Sequence, residues 1–81
     1  MNPLFVMIKC ELGKAYDVAE KLVDDLEETS EVHSISGRYD LLVKFFLADD
    51  VDIGHFVCER VQTIAHIKDT FTIQAFKAFT S

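Results

Sequence analysis

The spacing of hydrophobic residues changes along this chain, and each change marks a new structural element. Leu4 to Cys10 is an almost continuous apolar run and predicts a first strand. From Lys14 the period becomes helical, with a single apolar stripe made of Ala15, Val18, Ala19, Leu22, Val23 and Leu26. Charged residues occupy the rest of this predicted helix, which we interpret as its solvated side.

A predicted hairpin and a second helix follow. Val32 to Ile35 and Leu41 to Leu47 predict two strands, and Gly37 marks the corner between them, because glycine tolerates a left-handed backbone. The second helix is predicted to begin at Asp49-Asp50, whose carboxylates can cap free backbone amides. Its apolar stripe consists of Ile53, Phe56, Val57, Val61 and Ile64.

A last strand is predicted from Thr70 to Phe79. It places Phe71, Ile73 and Ala75 on one face and Phe76 and Ala78 on the other. The order strand-helix-strand-strand-helix-strand predicts an α+β fold, a ferredoxin-like βαββαβ plait with both helices on one face of an antiparallel sheet. No linker or low-complexity stretch interrupts it, so we expect residues 1–81 to form one domain.

The other face of this sheet is predicted to be apolar as well. Phe5 lies beside Val6, and Phe45 lies beside Phe46, so hydrophobic groups remain on the far side whichever parity faces the helices. Hydrophobic residues make up 49% of the chain, which is more than a small core requires. An exposed patch of this kind usually marks an interface. We therefore expect sheet-to-sheet packing of two copies into a dimeric α/β-barrel.

Charge and composition argue against several classes of protein. The formal net charge is −6 and the eight Lys and Arg residues are scattered, so we expect no direct binding to nucleic acid. The start of the chain lacks the basic residues of a signal peptide, and no segment is long enough to span a membrane. Cys10 and Cys58 have no metal or redox spacing. We expect a cytoplasmic protein with reduced thiols.

No catalytic residue, metal site or cofactor is predicted. His33, His55 and His66 stand in unlike contexts, whereas metal ligands normally come at tight spacings. The serines and threonines have no base at a recognisable distance. Three glycines do not form a phosphate-binding loop.

The turn Gly37-Arg38-Tyr39-Asp40 is the candidate binding segment. Tyr39 and Asp40 offer a phenol and a carboxylate beside exposed backbone amides, which suits a small zwitterion. The alternative is a tight turn whose tyrosine only packs. The tetrapeptide alone leaves both interpretations open.

Three segments together resemble the effector-binding domain of the Lrp/AsnC transcriptional regulators. They are Ser36 to Val43, the acidic Asp49-Asp50 before an amphipathic helix, and Ile67 to Thr72 at the entry to the last strand. The resemblance covers essentially the whole chain. In that family a helix-turn-helix DNA-binding domain normally precedes this one, so the chain resembles a stand-alone form without a DNA-binding domain. Ala65-His66 stands where the family commonly has Pro-Gly, and that loop is expected to differ.

The resemblance implies a dimer closed through its sheets, further assembly of dimers, and amino acids or similar effectors bound between dimers. Matched position by position, the implied ligand-binding residues are Gly37, Arg38, Tyr39, Asp40, Thr70 and Thr72. A carboxylate there can pair with an α-ammonium group, while amides and hydroxyls receive the α-carboxylate.

Two functions remain open on the sequence. One is a non-enzymatic amino-acid-binding module that changes its oligomeric state or associates with full-length Lrp/AsnC regulators. The other is a small dimeric α+β-barrel enzyme, a cofactor-free monooxygenase or haem-degrading type. That class tends to need a histidine, asparagine or tryptophan in the cleft. Here tryptophan is missing, the asparagine is Asn2, and His55 is expected on the polar side of its helix, so the binding module is favoured.

Overall fold

The computed structural model describes residues 2–76 and 78 of the chain. Its elements are, in order, β1 (Asn2–Cys10), α1 (Ala15–Asp25), β2 (Thr29–Ser34), β3 (Leu41–Leu47), α2 (Ile53–Phe56) continuing as a π-helical segment (Val57–Val61), and β4 (Ile67–Gln74). The four strands form one antiparallel sheet in the order β2-β3-β1-β4. The predicted α+β plait is confirmed.

The core lies between this sheet and the helices. Strands β1 and β3 alternate between buried and half-exposed residues, as expected for strands with one covered face. Their buried side chains join those of the helices in a single cluster, which includes Val18 and Leu22 of α1 and Val61 of the π-helical segment. The rings of Phe45 and Phe56 meet edge to face, with centroids 5.1 Å apart.

The second helix begins later than the sequence predicted. Its N-cap is Asp52, whose Oδ1 accepts a hydrogen bond from the His55 backbone N–H at 3.0 Å. Asp49 instead accepts a hydrogen bond from the Asn2 side chain at 2.9 Å. The start at Asp49-Asp50 was therefore wrong, because a third nearby aspartate makes the cap.

The bounds of β2 and β4 and the burial of one helical residue also differ from the prediction. Strand β2 extends from Thr29 to Ser34, whereas Val32 to Ile35 was predicted. Val23, predicted on the buried stripe of α1, is 61% exposed, because the residues that reach the core follow the narrower spacing Val18, Leu22 and Leu26. Strand β4 begins at Ile67 and ends at Gln74, which pairs with Leu4 of β1. Ala75 and Phe76 follow the strand, and the predicted end at Phe79 lies outside the described residues.

The sheet surface opposite the helices is apolar, as predicted. We call it the open face; its apolar residues are Phe5, Met7, Leu42, Phe46, Phe71 and Ile73, and the strand register places Lys9, Glu31, His33 and Asp69 on the same side of the sheet. Phe71 remains 52% exposed. Lys44 also lies on this face, with its Nζ 4.8 Å from the centre of the Phe46 ring and 3.7 Å from Glu31 Oε2.

Within the described part of the chain, no helix has the length and hydrophobicity needed to cross a bilayer.

Candidate functional site

The Gly37–Asp40 turn lies at the end of the sheet where β1 finishes and β3 begins. Gly37 has a φ of +108°, so the left-handed conformation expected from the sequence is present. A Cβ atom built on Gly37 would meet no heavy atom within 4 Å. The glycine is therefore needed for its backbone conformation, and not to make room for a neighbour.

Asp40 fastens this turn to β1 through backbone and side chain. Its N–H donates to the Ile8 carbonyl at 2.9 Å, and its carbonyl accepts from the Ile35 N–H at 3.0 Å. Its Oδ2 accepts from the Cys10 N–H at 2.7 Å, where the β1–β4 register shifts between Lys9 and Cys10. The carboxylate thus accepts the hydrogen bond of a backbone amide at an irregular point of the strand pairing.

The Asp40 carboxylate also has capacity for another partner. Both of its side-chain contacts use Oδ2, to Cys10 N and to Lys9 Nζ at 3.7 Å. No hydrogen bond to Oδ1 occurs among the described residues, and the side chain is 33% exposed. Burial raises the pKa of the neighbouring Cys10 thiol, and the charge of Asp40 raises it further. Asp40 therefore has a structural role and still presents an acceptor to solvent.

Tyr39 turns toward the open face. Its ring centroid lies 6.2 Å from that of Phe71, and the two planes are tilted by 32°. Tyr39 is half-buried while the adjacent Arg38 is exposed. The tyrosine packs, as the alternative interpretation of the turn expected, and this packing connects the turn to the open face.

Thr70 and Thr72 lie on the other side of β4. They pair with Ile8 and Val6, which are buried beneath the helices. Thr70 Oγ1 accepts a hydrogen bond from Gln62 Nε2 at 2.8 Å. The structure thus brings the start of β4 close to the turn, but the two threonines and Tyr39 face opposite sides of the sheet.

The loop before β4 contains a feature that the candidate residues did not include. His66 has a φ of +74°, a left-handed conformation that is uncommon for a residue with a side chain. Its carbonyl accepts from the Glu11 N–H at 2.8 Å, and its Nδ1 lies 3.3 Å from Glu11 Oε1. Ala65-His66 in place of Pro-Gly was the sequence signal for this loop, and the structure gives His66 the left-handed conformation.

Sequence reasoning also missed Lys9 and Gln62, which contact the predicted residues Asp40 and Thr70. No local motif marks either of them, because each contact joins separate elements.

Across the described residues, no group of three or more His, Cys, Asp or Glu side chains could hold a metal ion.

The plait hosts many unrelated functions, so the class of protein is given by comparison with known families. The sequence model of the Lrp/AsnC ligand binding domain matches residues 4–81. The chain belongs to that family, whose members include transcriptional regulators.

Similar proteins agree with this assignment. The HTH-type transcriptional regulator FL11 of Pyrococcus furiosus is 33% identical over 73 residues, which cover 90% of this chain and 47% of the regulator. The chain thus spans about half the length of the curated relatives it matches.

Solved structures show the same fold. TTHA0845 from Thermus thermophilus has a TM-score of 0.87 and 26% identity, with full coverage of both chains. The transcriptional regulator NMB0573 from Neisseria meningitidis, solved as a complex with L-Met, has a TM-score of 0.80 over 99% of this chain and 53% of its own. At 17% identity the second likeness concerns the fold alone.

Proposed function

We propose that this domain binds a free amino acid or a similar small effector at the Gly37–Asp40 turn, without catalysing a reaction. The observation that carries this proposal is the exposure of two opposite charges on one fixed turn. Arg38 is exposed two residues before Asp40, and three hydrogen bonds hold Asp40 in place. A zwitterion offers an ammonium group and a carboxylate to such a pair. A rigid turn also lowers the entropy lost on binding.

The proposed site is completed along the free edge of β4. Because β4 is an edge strand, both of its faces border solvent at that edge. A ligand held between two copies can contact the turn and Tyr39 of one copy and, along this edge, Thr70 and Thr72 of the other. The Neisseria regulator, which shares the fold, was solved as a complex with L-Met, so a protein with this fold can bind an amino acid.

The second part of the proposal is a dimer formed through the open face. Its aromatic and aliphatic side chains form a contiguous apolar surface of the kind that marks an interface. Lys44 lies within this surface, and contact of its ammonium with the Phe46 ring and with Glu31 offsets part of the cost of burying its charge. Tyr39 contacts Phe71, so ligand binding at the turn is linked to this interface. Ligand-dependent assembly, alone or with full-length Lrp/AsnC regulators, is the proposed output.

The enzyme alternative has weaker support. His55, a candidate for chemistry in a cleft, is exposed on α2, with its Nδ1 3.4 Å from Glu59 Oε1. That placement suits a solvated pair of polar side chains on a helix surface. We therefore favour a binding module.

The first experiment is a thermal-shift screen across the common amino acids, because a ligand that binds only the folded state raises its apparent stability. Calorimetric titration of the best ligand then compares two variants. Asp40→Asn keeps an oxygen for the Cys10 N–H and removes the charge, whereas Asp40→Ala removes both. We expect Asp40→Asn to weaken ligand binding by about 1.5–3 kcal/mol with little loss of folding stability. Asp40→Ala should lower both the ligand affinity and the folding stability.

Asp50→Asn is the matched control, because it removes an exposed carboxylate away from the turn. Its affinity should equal that of the wild-type protein. Equal affinities for wild type and Asp40→Asn would show that Asp40 is only a structural residue of the hairpin.

A further inference from the structure

A cluster of polar side chains lies on the open face, on the side of the sheet that ends with β2. Glu31 and His33 of β2 are opposite Lys44 and Leu42 of β3, so they share this face with the apolar residues of the proposed interface. His33 Nε2 lies 2.9 Å from Glu31 Oε1, and Lys44 Nζ lies 3.7 Å from Glu31 Oε2. One carboxylate is therefore shared between a lysine and a histidine.

The net charge of this cluster depends on His33. With a neutral His33, the charges of Glu31 and Lys44 cancel, and the Nε2–H tautomer of the imidazole donates a hydrogen bond to the carboxylate. With a protonated His33, the cluster carries one net positive charge. Histidine is the side chain that ordinarily changes its charge between pH 5 and 8. The His33 side chain is 57% exposed, so water solvates either form in a single copy.

Assembly would remove this water, and the inference therefore rests on the proposed dimer. Closure of two sheets into a barrel brings the outer strands of the two copies together, and β2 is an outer strand. The open-face side of β2 then lies at the seam of the barrel. A charge taken out of water without a partner costs much more than a paired one. The neutral cluster is thus easier to bury than the charged cluster.

The other charged groups on this side of the sheet leave no free carboxylate beside His33 within one copy. Lys9 of β1 and Asp69 of β4 are opposite each other in the strand register, so their charges offset one another. Asp40 of the turn contacts Lys9. Arg38 of the turn and Lys68 at the irregular point of β4 are exposed cations, and neither can neutralise a protonated histidine.

We propose that His33 makes assembly through the open face depend on pH. The dimer forms with neutral His33 and dissociates when His33 gains a proton. Each dimer contains two such histidines, so dissociation is linked to the uptake of up to two protons. The dissociation constant of the dimer then rises by up to about 100-fold for each pH unit of acidification, within the range in which histidine titrates.

The titration of Glu31 belongs to a more acidic range. The hydrogen bond from His33, and then the charge of Lys44, hold the pKa of Glu31 below its ordinary value of 4.5. The carboxylate therefore keeps its charge throughout the histidine range. A change of assembly between about pH 7.5 and about pH 5.5 reports on histidine and not on Glu31.

The test is sedimentation velocity over a concentration series at these two pH values and constant ionic strength. The wild-type dimer should have a dissociation constant at least about tenfold larger at the lower pH. His33→Gln keeps a side-chain donor for Glu31 and cannot gain a charge, so its dimer should be equally stable at both. His33→Thr, a second uncharged variant suited to a strand, should behave in the same way.

His55→Gln is the matched control, because it replaces an exposed histidine that also lies beside a glutamate, Glu59, but on α2. It should respond to pH like wild type. Circular dichroism at both pH values checks that every variant is folded.

Each of three results would overturn the inference and leave the dimer in place. They are a wild-type dimer that is equally stable at both pH values, a pH response that persists in the His33 variants, and a dimer that becomes tighter on acidification. The last result would mean that a carboxylate of the second copy receives the charged histidine. A wild-type protein that is monomeric at both pH values would remove the proposed dimer itself, and the inference with it.

Discussion

Gly37 and His66 both have a left-handed backbone conformation, although glycine has no side chain and histidine has a large one. Their φ angles are +108° and +74°. Glycine adopts such a conformation at no steric cost, whereas a non-glycine residue there stores of order 1–3 kcal/mol of strain. The hydrogen bond from the Glu11 N–H to the His66 carbonyl joins main-chain atoms, so it does not depend on the imidazole side chain.

We expect His66→Gly to raise the free energy of unfolding by about 1 kcal/mol, since it relieves the left-handed strain. The lost contact with Glu11 is exposed and contributes little. Urea denaturation measures the change, and Glu11→Gln is the control for the side-chain pair. Gly37→Val should have the opposite effect, because a β-branched residue is poorly tolerated at positive φ. A destabilised His66→Gly variant would mean that the histidine contact outweighs the strain.

The second helix depends strongly on its start. α2 has four residues before the π-helical segment continues it, so little intrahelical stability is available. Asp52 caps its free amides through the His55 N–H. Loss of this cap therefore affects the placement of Phe56, which packs on Phe45.

Asp52→Ala should lower the free energy of unfolding by about 1 kcal/mol, which is typical for removal of an aspartate N-cap. Asp50→Ala, two residues earlier and not a cap, is the control and should change stability by less than about 0.5 kcal/mol. Chemical denaturation monitored by circular dichroism checks both. Similar losses in the two variants would indicate a general charge effect and not a cap.

Strand β2 carries a pH-sensitive cluster beside the open face. The hydrogen bond from His33, and then the charge of Lys44, hold the pKa of Glu31 below its ordinary value of 4.5. A lowered pKa in the folded state gives stability that is present above the unfolded pKa and is lost as the pH falls through the folded pKa.

We therefore expect stability to decline as the medium is acidified below pH 4.5, and Glu31→Gln to make that decline shallower. Thermal unfolding of both proteins over a series of acidic pH values measures the difference. Glu27→Gln removes an exposed carboxylate from the segment between α1 and β2 and serves as the control. Parallel pH profiles for wild type and Glu31→Gln would contradict the assigned role.

At the scale of the whole molecule, the proposed assembly depends on the open face. We expect the wild-type protein to be a dimer or larger at micromolar concentration, and Phe71→Glu to shift it toward monomer by placing a charge in the apolar interface. Phe71 is already half-exposed in one copy, so the fold should tolerate the change. Light scattering measures the mass. Leu12→Glu, at a 96% exposed position in the loop after β1, should leave the mass unchanged. A monomeric wild type would remove the proposed interface.

The charge of the chain leads to a separate prediction. With a net charge of −6, the 81-residue chain by itself should not retain duplex DNA selectively at physiological salt. Gel retardation with specific and scrambled duplexes is the measurement. Submicromolar, sequence-selective retardation would contradict it.

Local sequence patterns determined the elements and much of the turn. The helical and strand periods predicted the order of the plait, and Gly37 predicted a left-handed corner, because these features depend on neighbours a few residues apart. The apolar open face was predicted because hydrophobic residues occupy consecutive positions of the strands and therefore lie on both faces of the sheet.

Contacts between distant residues were decided only by the tertiary structure. Asp40 was recognised as a binding candidate, but its bond to the Cys10 amide spans 30 positions and arises at an irregularity of strand pairing. The register of β4 likewise decided that Thr70 and Tyr39 face opposite sides of the sheet. Hydrophobic period alone leaves pairing register open, and a shift of one residue exchanges the two faces of a strand. The sequence thus determined which residues form the turn, and the tertiary structure determined which distant residues contact it and which atoms remain available to a ligand.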